Sequence, residues 1–309
     1  MLELEAVSRA FGSLQALDKV SFKVQPGRLT GFVGANGAGK TTAMRIAMGV
    51  LSLDSGQVLF DGQPTTPQIA ARFGYMPEER GLYPKMGVRE QLVFFARLHG
   101  LDLGRAQRNA DDLLERLGLT ARAADKVEKL SLGNQQRAQI AAALVHDPAA
   151  LILDEPFSGL DPMAVETVMG VLRDFAGRGA PILFSSHQLD VVERITDDLV
   201  VIAAGQIKAS GATEALRERY AGSRYRLVLP AATASAGEAL IAASPGVSAV
   251  SVERVGAGGG QTASCLRVNF DATAELAQRL LAESLTLGPV EEFGRVIPPL
   301  SEVFKEVIA

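Results

Sequence analysis

The chain has 309 residues, 47% of them hydrophobic, with 31 Lys and Arg against 35 Asp and Glu. That length suggests two domains, and that apolar content suffices for sizeable cores. A net charge of −4 argues against nucleic-acid binding, and the single cysteine excludes an internal disulfide framework and fits a reducing compartment. No apolar run approaches the ~20 residues a membrane helix needs. Met1 to Glu5 has neither the basic start nor the apolar core of a secretory signal. The expectation is a cytoplasmic protein whose membrane role comes only through a partner.

Val20 to Val24 alternates like a half-buried strand and ends at the turn Gln25-Pro26-Gly27. Leu29 to Val33 is a short apolar strand running into Gly34-Ala35-Asn36-Gly37-Ala38-Gly39-Lys40-Thr41-Thr42, and Ala43 to Met48 continues as a helix. Gly, four residues, then Gly-Lys-Ser/Thr between a strand and a helix is a loop that wraps a nucleotide's phosphates. Gly34, Gly37 and Gly39 allow close backbone approach, and successive N–H groups form an anion-binding concavity with the helix N-terminus behind it. Lys40 supplies a compact charge to the β- and γ-phosphates, Thr41 a hard oxygen for Mg²⁺, and Thr42 a further phosphate contact.

Gln57 to Phe60 before Asp61-Gly62 reads as a hairpin arm, and the stretch from about Gly87 to Thr120 is helical in pattern. Ser131 is a candidate N-cap for a helix over Ala138 to Val145, a second anion-favouring helix start. Ala149 to Leu153 and Ile182 to Phe184 are near-continuous apolar strands of a sheet buried on both faces, and their alternation with helices predicts an α/β fold. The first of them ends in Asp154-Glu155. Asp154 is placed to hold Mg²⁺, and Glu155, one residue further, to polarise an attacking water.

After about Tyr220 the composition shifts to Ala, Gly and Ser. Strands at Tyr225 to Leu229, Val247 to Val255 and Ser264 to Phe270 are expected, with helices at Ala236 to Ala243, Ala272 to Ser284 and Pro299 to Val307. Gly256 to Gly260 reads as a hairpin tip, not a nucleotide loop, because no Lys-Ser/Thr follows it.

Leu130-Ser131-Leu132-Gly133-Asn134-Gln135-Gln136, shortly before the Asp154-Glu155 strand, resembles the Leu-Ser-Gly-Gly-Gln signature of the ATP-binding cassette (ABC) family. Other family elements follow in order: Ser158-Gly159-Leu160-Asp161 resembles its D-loop and His187 its switch histidine. Phe11 matches the adenine-stacking aromatic, and Tyr75-Met76-Pro77-Glu78 the loop before the helical insert. The resemblance spans roughly residues 1–220. It implies a P-loop ABC ATPase core, a mixed sheet flanked by helices, with an antiparallel β subdomain and a helical insert at about 79–137. A small α+β accessory domain over 221–309 completes the expected layout.

By that resemblance the chain binds and hydrolyses ATP with Mg²⁺ as a head-to-tail homodimer. Lys40, Thr41, Asp154, Glu155 and His187 take one face of the nucleotide. Ser131 and Gly133 of a second copy close over it, with Asn134 and Asp161 beside them. Leu132 and Asn134 depart from the signature's Gly and Gln, and Glu78 replaces a glutamine whose oxygen the family offers to the metal; a carboxylate can still ligate Mg²⁺. The string Pro77-Glu78-Glu79-Arg80-Gly81-Leu82-Tyr83-Pro84 resembles the drug-resistance and sodium-export branch, whose permease is a separate polytopic membrane chain. The apolar loop Gly81 to Met86 is the expected docking site for that permease, which would hold the chain at the inner face of the membrane. The alternative is a soluble, non-transport ABC ATPase with a C-terminal regulatory domain.

Overall fold

The computed structural model describes residues 1–79, 81–255 and 265–308, so the expected hairpin tip at 256–260 lies outside the described residues. The chain opens with a hairpin of β1 (Leu2–Phe11) and β2 (Leu14–Val24). Next come β3 (Leu29–Val33), α1 (Lys40–Ala47), β4 (Ser55–Phe60), β5 (Gln63–Pro64), the single-turn α2 (Pro67–Ala70) and β6 (Phe73–Met76). Helices α3 (Val88–Leu98), α4 (Leu103–Arg116) and α5 (Leu132–Leu144) follow. Then come β7 (Ala150–Leu153), α6 (Pro162–Gly177), β8 (Ile182–Ser185), α7 (Leu189–Ile195), β9 (Asp198–Ala203), β10 (Gln206–Ala212) and α8 (Thr213–Arg219).

A six-stranded sheet, in the order β10-β9-β3-β8-β7-β6, carries the first unit. Its inner strands pair in parallel, and β10 closes the edge antiparallel to β9. Leu29–Val33, Ala150–Leu153 and Ile182–Ser185 are buried at every position, as expected of strands covered on both faces. A separate antiparallel sheet, β2-β1-β4-β5, shares a core with it through Leu4, Val20, Phe32, Met44, Phe60 and Phe73. The predicted hairpin arm at 57–60 is β4, paired with β1 rather than with a neighbour in sequence alone.

The helical pattern over 87–120 resolves into two helices, interrupted at Gly100 with Asp102 capping α4 through the Arg105 amide. The helix predicted from Ala138 starts earlier, at Leu132, because Ser131 caps it directly.

The second unit, Arg217–Pro299, is built from β11 (Arg224–Pro230), α9 (Ala234–Ala243), β12 (Ser248–Val255), β13 (Cys265–Asp271), α10 (Ala274–Leu287) and β14 (Glu292–Arg295). Its strands form one antiparallel sheet, β12-β13-β11-β14, a β-α-β-β-α-β arrangement around Leu227, Leu229, Ile241, Val268, Phe270 and Leu280. The last helix, α11 (Leu300–Ile308), leaves this unit. It packs with the first one, on α7, β9 and β10, and its first amide donates to Glu193 at 2.7 Å. The sequence pattern groups that helix with 221–309, whereas the contacts group it with the first unit.

His146 follows α5 and bonds the Phe73 carbonyl through Nε2 at 3.2 Å, its ring stacked on His99 with centroids 3.7 Å apart. Burial, and then the nearby charge of His99, hold its pKa down from 6.5 to about 4. Between those values an unfolded chain takes up a proton that the folded one refuses, so stability falls as pH drops from 6.5 towards 4. The variant His146→Gln, which keeps a donor for Phe73, should flatten the melting temperature against pH across that window. An unchanged slope would contradict the assignment.

Candidate functional site

The loop Gly34 to Thr42 leaves β3 and enters α1, the setting its sequence predicts. Gly37 and Gly39 have φ of 78° and 108°, a region costly for residues with a Cβ. A Cβ on Gly34 would lie 2.5 Å from the Ile202 carbonyl, so that position needs glycine for space as well. Lys40 is 9% exposed, and its ammonium donates to the carbonyls of Gly34 at 2.6 Å and Ala35 at 3.2 Å. A buried cation needs such partners, and the two loop carbonyls supply them.

Asp154 stands at the carboxyl end of β7, 1% exposed. One oxygen accepts from Thr41 Oγ1 at 2.9 Å, the other from Ser185 Oγ at 2.5 Å. Two adjacent hard oxygens on Thr41 and Asp154 suit Mg²⁺, so the donor set fits the ion the sequence implies. Ser185 in turn accepts from the Glu155 amide at 2.8 Å.

Glu155 has φ of 53°, the left-handed region that non-glycine residues seldom occupy. Its carboxylate meets His187 Nδ1 at 2.8 Å. Burial raises the Glu155 pKa, against the opposing pull of His187 and Lys40. A carboxyl shifted in that direction is a stronger base for a water proton.

Thr41, Asp154, Glu155 and His187 are therefore linked by hydrogen bonds through Ser185, with Lys40 next to Thr41 in the chain. Ser185 has no sequence motif of its own; its one signal is a polar Ser185-Ser186 pair closing an apolar strand just before His187. The other predicted residues stand apart in their contacts. Ser131 caps α5 through the Asn134 amide at 3.4 Å, and Asp161 caps α6 through the Ala164 amide at 2.8 Å. The Asn134 side-chain oxygen is taken by Arg137 of its own helix. Gly133 lies against the Gly159 backbone, where a Cβ would come 3.4 Å from its carbonyl. Phe11 is 46% exposed with the Arg9 guanidinium 5.0 Å from its ring centre, leaving part of the ring open to a flat ligand. Glu78 is exposed on the loop after β6. Ala35 and Asn36 are exposed and Ala38 is buried in the loop's turn.

The ABC transporter family model matches residues 17–158. The uncharacterized ABC transporter ATP-binding protein YhaQ of Bacillus subtilis (strain 168) is 41% identical over 220 residues, covering 71% of this chain and 74% of that protein. Nod factor export ATP-binding protein I of Paraburkholderia xenovorans (strain LB400) is 37% identical over 218 residues, covering 70% and 72%. Among solved structures, an ATP-binding subunit of an ABC transporter superposes with a TM-score of 0.66 at 30% identity, covering 71% of this chain and 93% of that one. The chain belongs to the ABC transporter ATP-binding family and is an ATPase of that family.

Proposed function

We propose that the chain is the ATP-hydrolysing subunit of an exporter of the drug-resistance and sodium-export branch, with its membrane permease on a separate chain. The observation that carries the catalytic part is the bonded path Thr41–Asp154–Ser185–Glu155–His187 beside Lys40. In this reading Gly34 to Thr42 wrap the phosphates, and Lys40 moves from its loop carbonyls to the β- and γ-phosphates. Phe11 stacks on the base. Thr41, Asp154 and Glu78 hold Mg²⁺, which neutralises phosphate charge when bound. Glu155 orients and deprotonates the attacking water, and His187 steadies Glu155 and contacts the γ-phosphate.

One chain supplies half of each site. Ser131, Gly133, Asn134 and Asp161 of a second copy close the other half in a two-fold, head-to-tail pair. Two exposed apolar side chains at the starts of α5 and α6, Leu132 (59% exposed) and Met163 (77%), support a covering partner there.

A different face supports the permease. A cavity of about 260 Å³ is lined by Met48, Tyr75, Pro77, Leu82 and Phe95 among others, beside the Glu78 loop. Its surroundings include the exposed Tyr83, Phe94 and Leu98, with Tyr83 and Phe94 ring centres 6.2 Å apart. Gln91 holds this loop in place by accepting from the Tyr83 amide at 2.7 Å. Among the described residues no helix is long and apolar enough to cross a membrane. In this reading the apolar groove seats a segment of the permease.

Glu155→Gln should still bind ATP and accumulate the two-chain form while turnover falls about 100-fold or more. Full steady-state turnover in that variant would refute the role of Glu155. Tyr83→Ser combined with Leu98→Ser should release the chain from the membrane fraction of expressing cells without changing ATP binding. Undiminished membrane association would remove the groove as the permease site.

A further inference from the structure

Helix α5 reaches the catalytic loop from beneath. The Gln136 amide nitrogen donates to the Glu155 carbonyl at 2.9 Å and to the Pro156 carbonyl at 3.1 Å. Gln136 is 6% exposed. A side-chain amide nitrogen carries two hydrogens, so these two bonds use its whole donor capacity. One turn on, Gln139, 5% exposed, donates in the same way to Pro77 at 2.8 Å and Glu79 at 3.1 Å, on either side of Glu78. The two glutamines share a helix face at i, i+3 spacing. Each binds loop backbone, and neither belongs to the nucleotide-binding set described above.

The Glu155 backbone makes this clamp consequential. A non-glycine residue at φ of 53° is strained and persists only where its surroundings over-determine it. The constraints on Glu155 are few and specific. Ser185 takes its amide, Gln136 takes its carbonyl and the next one, the Ser158 amide shares its carbonyl at 3.2 Å, and His187 meets its carboxylate. Removing Gln136 would take the donor from the Pro156 carbonyl and leave the Glu155 carbonyl with only the Ser158 amide at 3.2 Å, at the strained residue itself. The peptide could then relax, and the carboxylate at its other end would swing. Small misplacements of a reacting group are costly in rate, because the reaction depends on alignment.

We propose that Gln136 is a positioning residue for ATP hydrolysis, clamping the peptide carbonyls of Glu155 and Pro156 so that the Glu155 carboxylate faces the water. The inference rests on the reading of Glu155 as the group that orients that water. Gln136→Met keeps the length and burial of the side chain and removes both donors.

Steady-state hydrolysis of MgATP by the full chain tests it. For Gln136→Met, kcat should fall about tenfold while KM for MgATP stays within about twofold, because the phosphate loop is untouched. In the Glu155→Gln background, Gln136→Met should cost almost nothing more, the non-additivity expected of two residues acting through one group. Unchanged kcat in the folded variant would overturn the proposal. So would a full, additive loss on top of Glu155→Gln, which is what a general effect on folding would produce. If Gln136→Met does not fold, Gln136→Asn carries the same test, since it keeps the amide but is one methylene too short to span both carbonyls. If Glu155→Gln alone retains full turnover, the reading of Glu155 fails first and takes this inference with it, an outcome distinct from the failure of Gln136.

Discussion

Asp154 is a carboxylate removed almost entirely from water, and the site is built around what that demands. A buried charge without partners costs several kcal/mol, so both of its oxygens must be bonded. The two donors come from different elements: Thr41 from α1, and Ser185 from the end of β8. Reaching them requires β3, β8 and β7 to end level with one another. The pairings Phe32↔Ser185 and Leu153↔Phe184 set that alignment. A strand slipped along its neighbour would leave Asp154 unpaired and move Thr41 away from it. The alignment that satisfies one buried carboxylate thus also brings the phosphate loop, the metal-binding oxygens and Glu155 to the same crevice at the carboxyl ends of the strands, where ligands of open α/β sheets bind.

The same arrangement places stored strain beside a shifted pKa. Glu155 is held in a left-handed conformation, and its carboxyl is raised by burial. Both features cost stability, and both suit a group that must aim at a water and take its proton. The bonds that offset them run to Ser185 at the end of β8 and His187 just after it, to Gln136 on α5 and to Ser158 in its own loop, so Glu155 is held from distant segments as well as locally. Among the described residues, Ser131 and Asp161 serve as caps of α5 and α6, and Asn134 is tied to Arg137, rather than contacting the chain's own phosphate loop. The proposal that a second copy completes the site rests on that separation.

Much of this was legible in the sequence because the motifs are local. Gly34 to Thr42 encode a strand-loop-helix turn within nine consecutive residues, and Asp154-Glu155 ends a strand whose uniform apolarity announces burial. The roles of Ser185, Gln136 and Gln139 were not legible, although Gln136 stands in the stretch that carries the signature resemblance, because those roles exist only once distant segments meet. Ser185 bonds a residue 31 positions away, and Gln139 bonds backbone 60 and 62 positions away. A glutamine inside a helix carries no pattern that reveals its backbone partners, and the Ser185-Ser186 pair before His187 marks a polar strand end without naming Asp154 as its partner. The first strand was missed for another reason: its pairing with β2 shifts register three times, which breaks the alternation that marks a strand. The final helix was assigned to the wrong neighbours by sequence adjacency, whereas its Leu300 and Val303 are buried in the first unit.

Whether one chain is half an active site is decided most directly by ATP turnover per chain as a function of chain concentration, with the oligomeric state measured in the same samples. A site completed by a second copy predicts that turnover per chain is close to zero where chains are single, rises as pairs form and levels off when pairing is complete. Constant turnover per chain down to concentrations at which only single chains are present would contradict it.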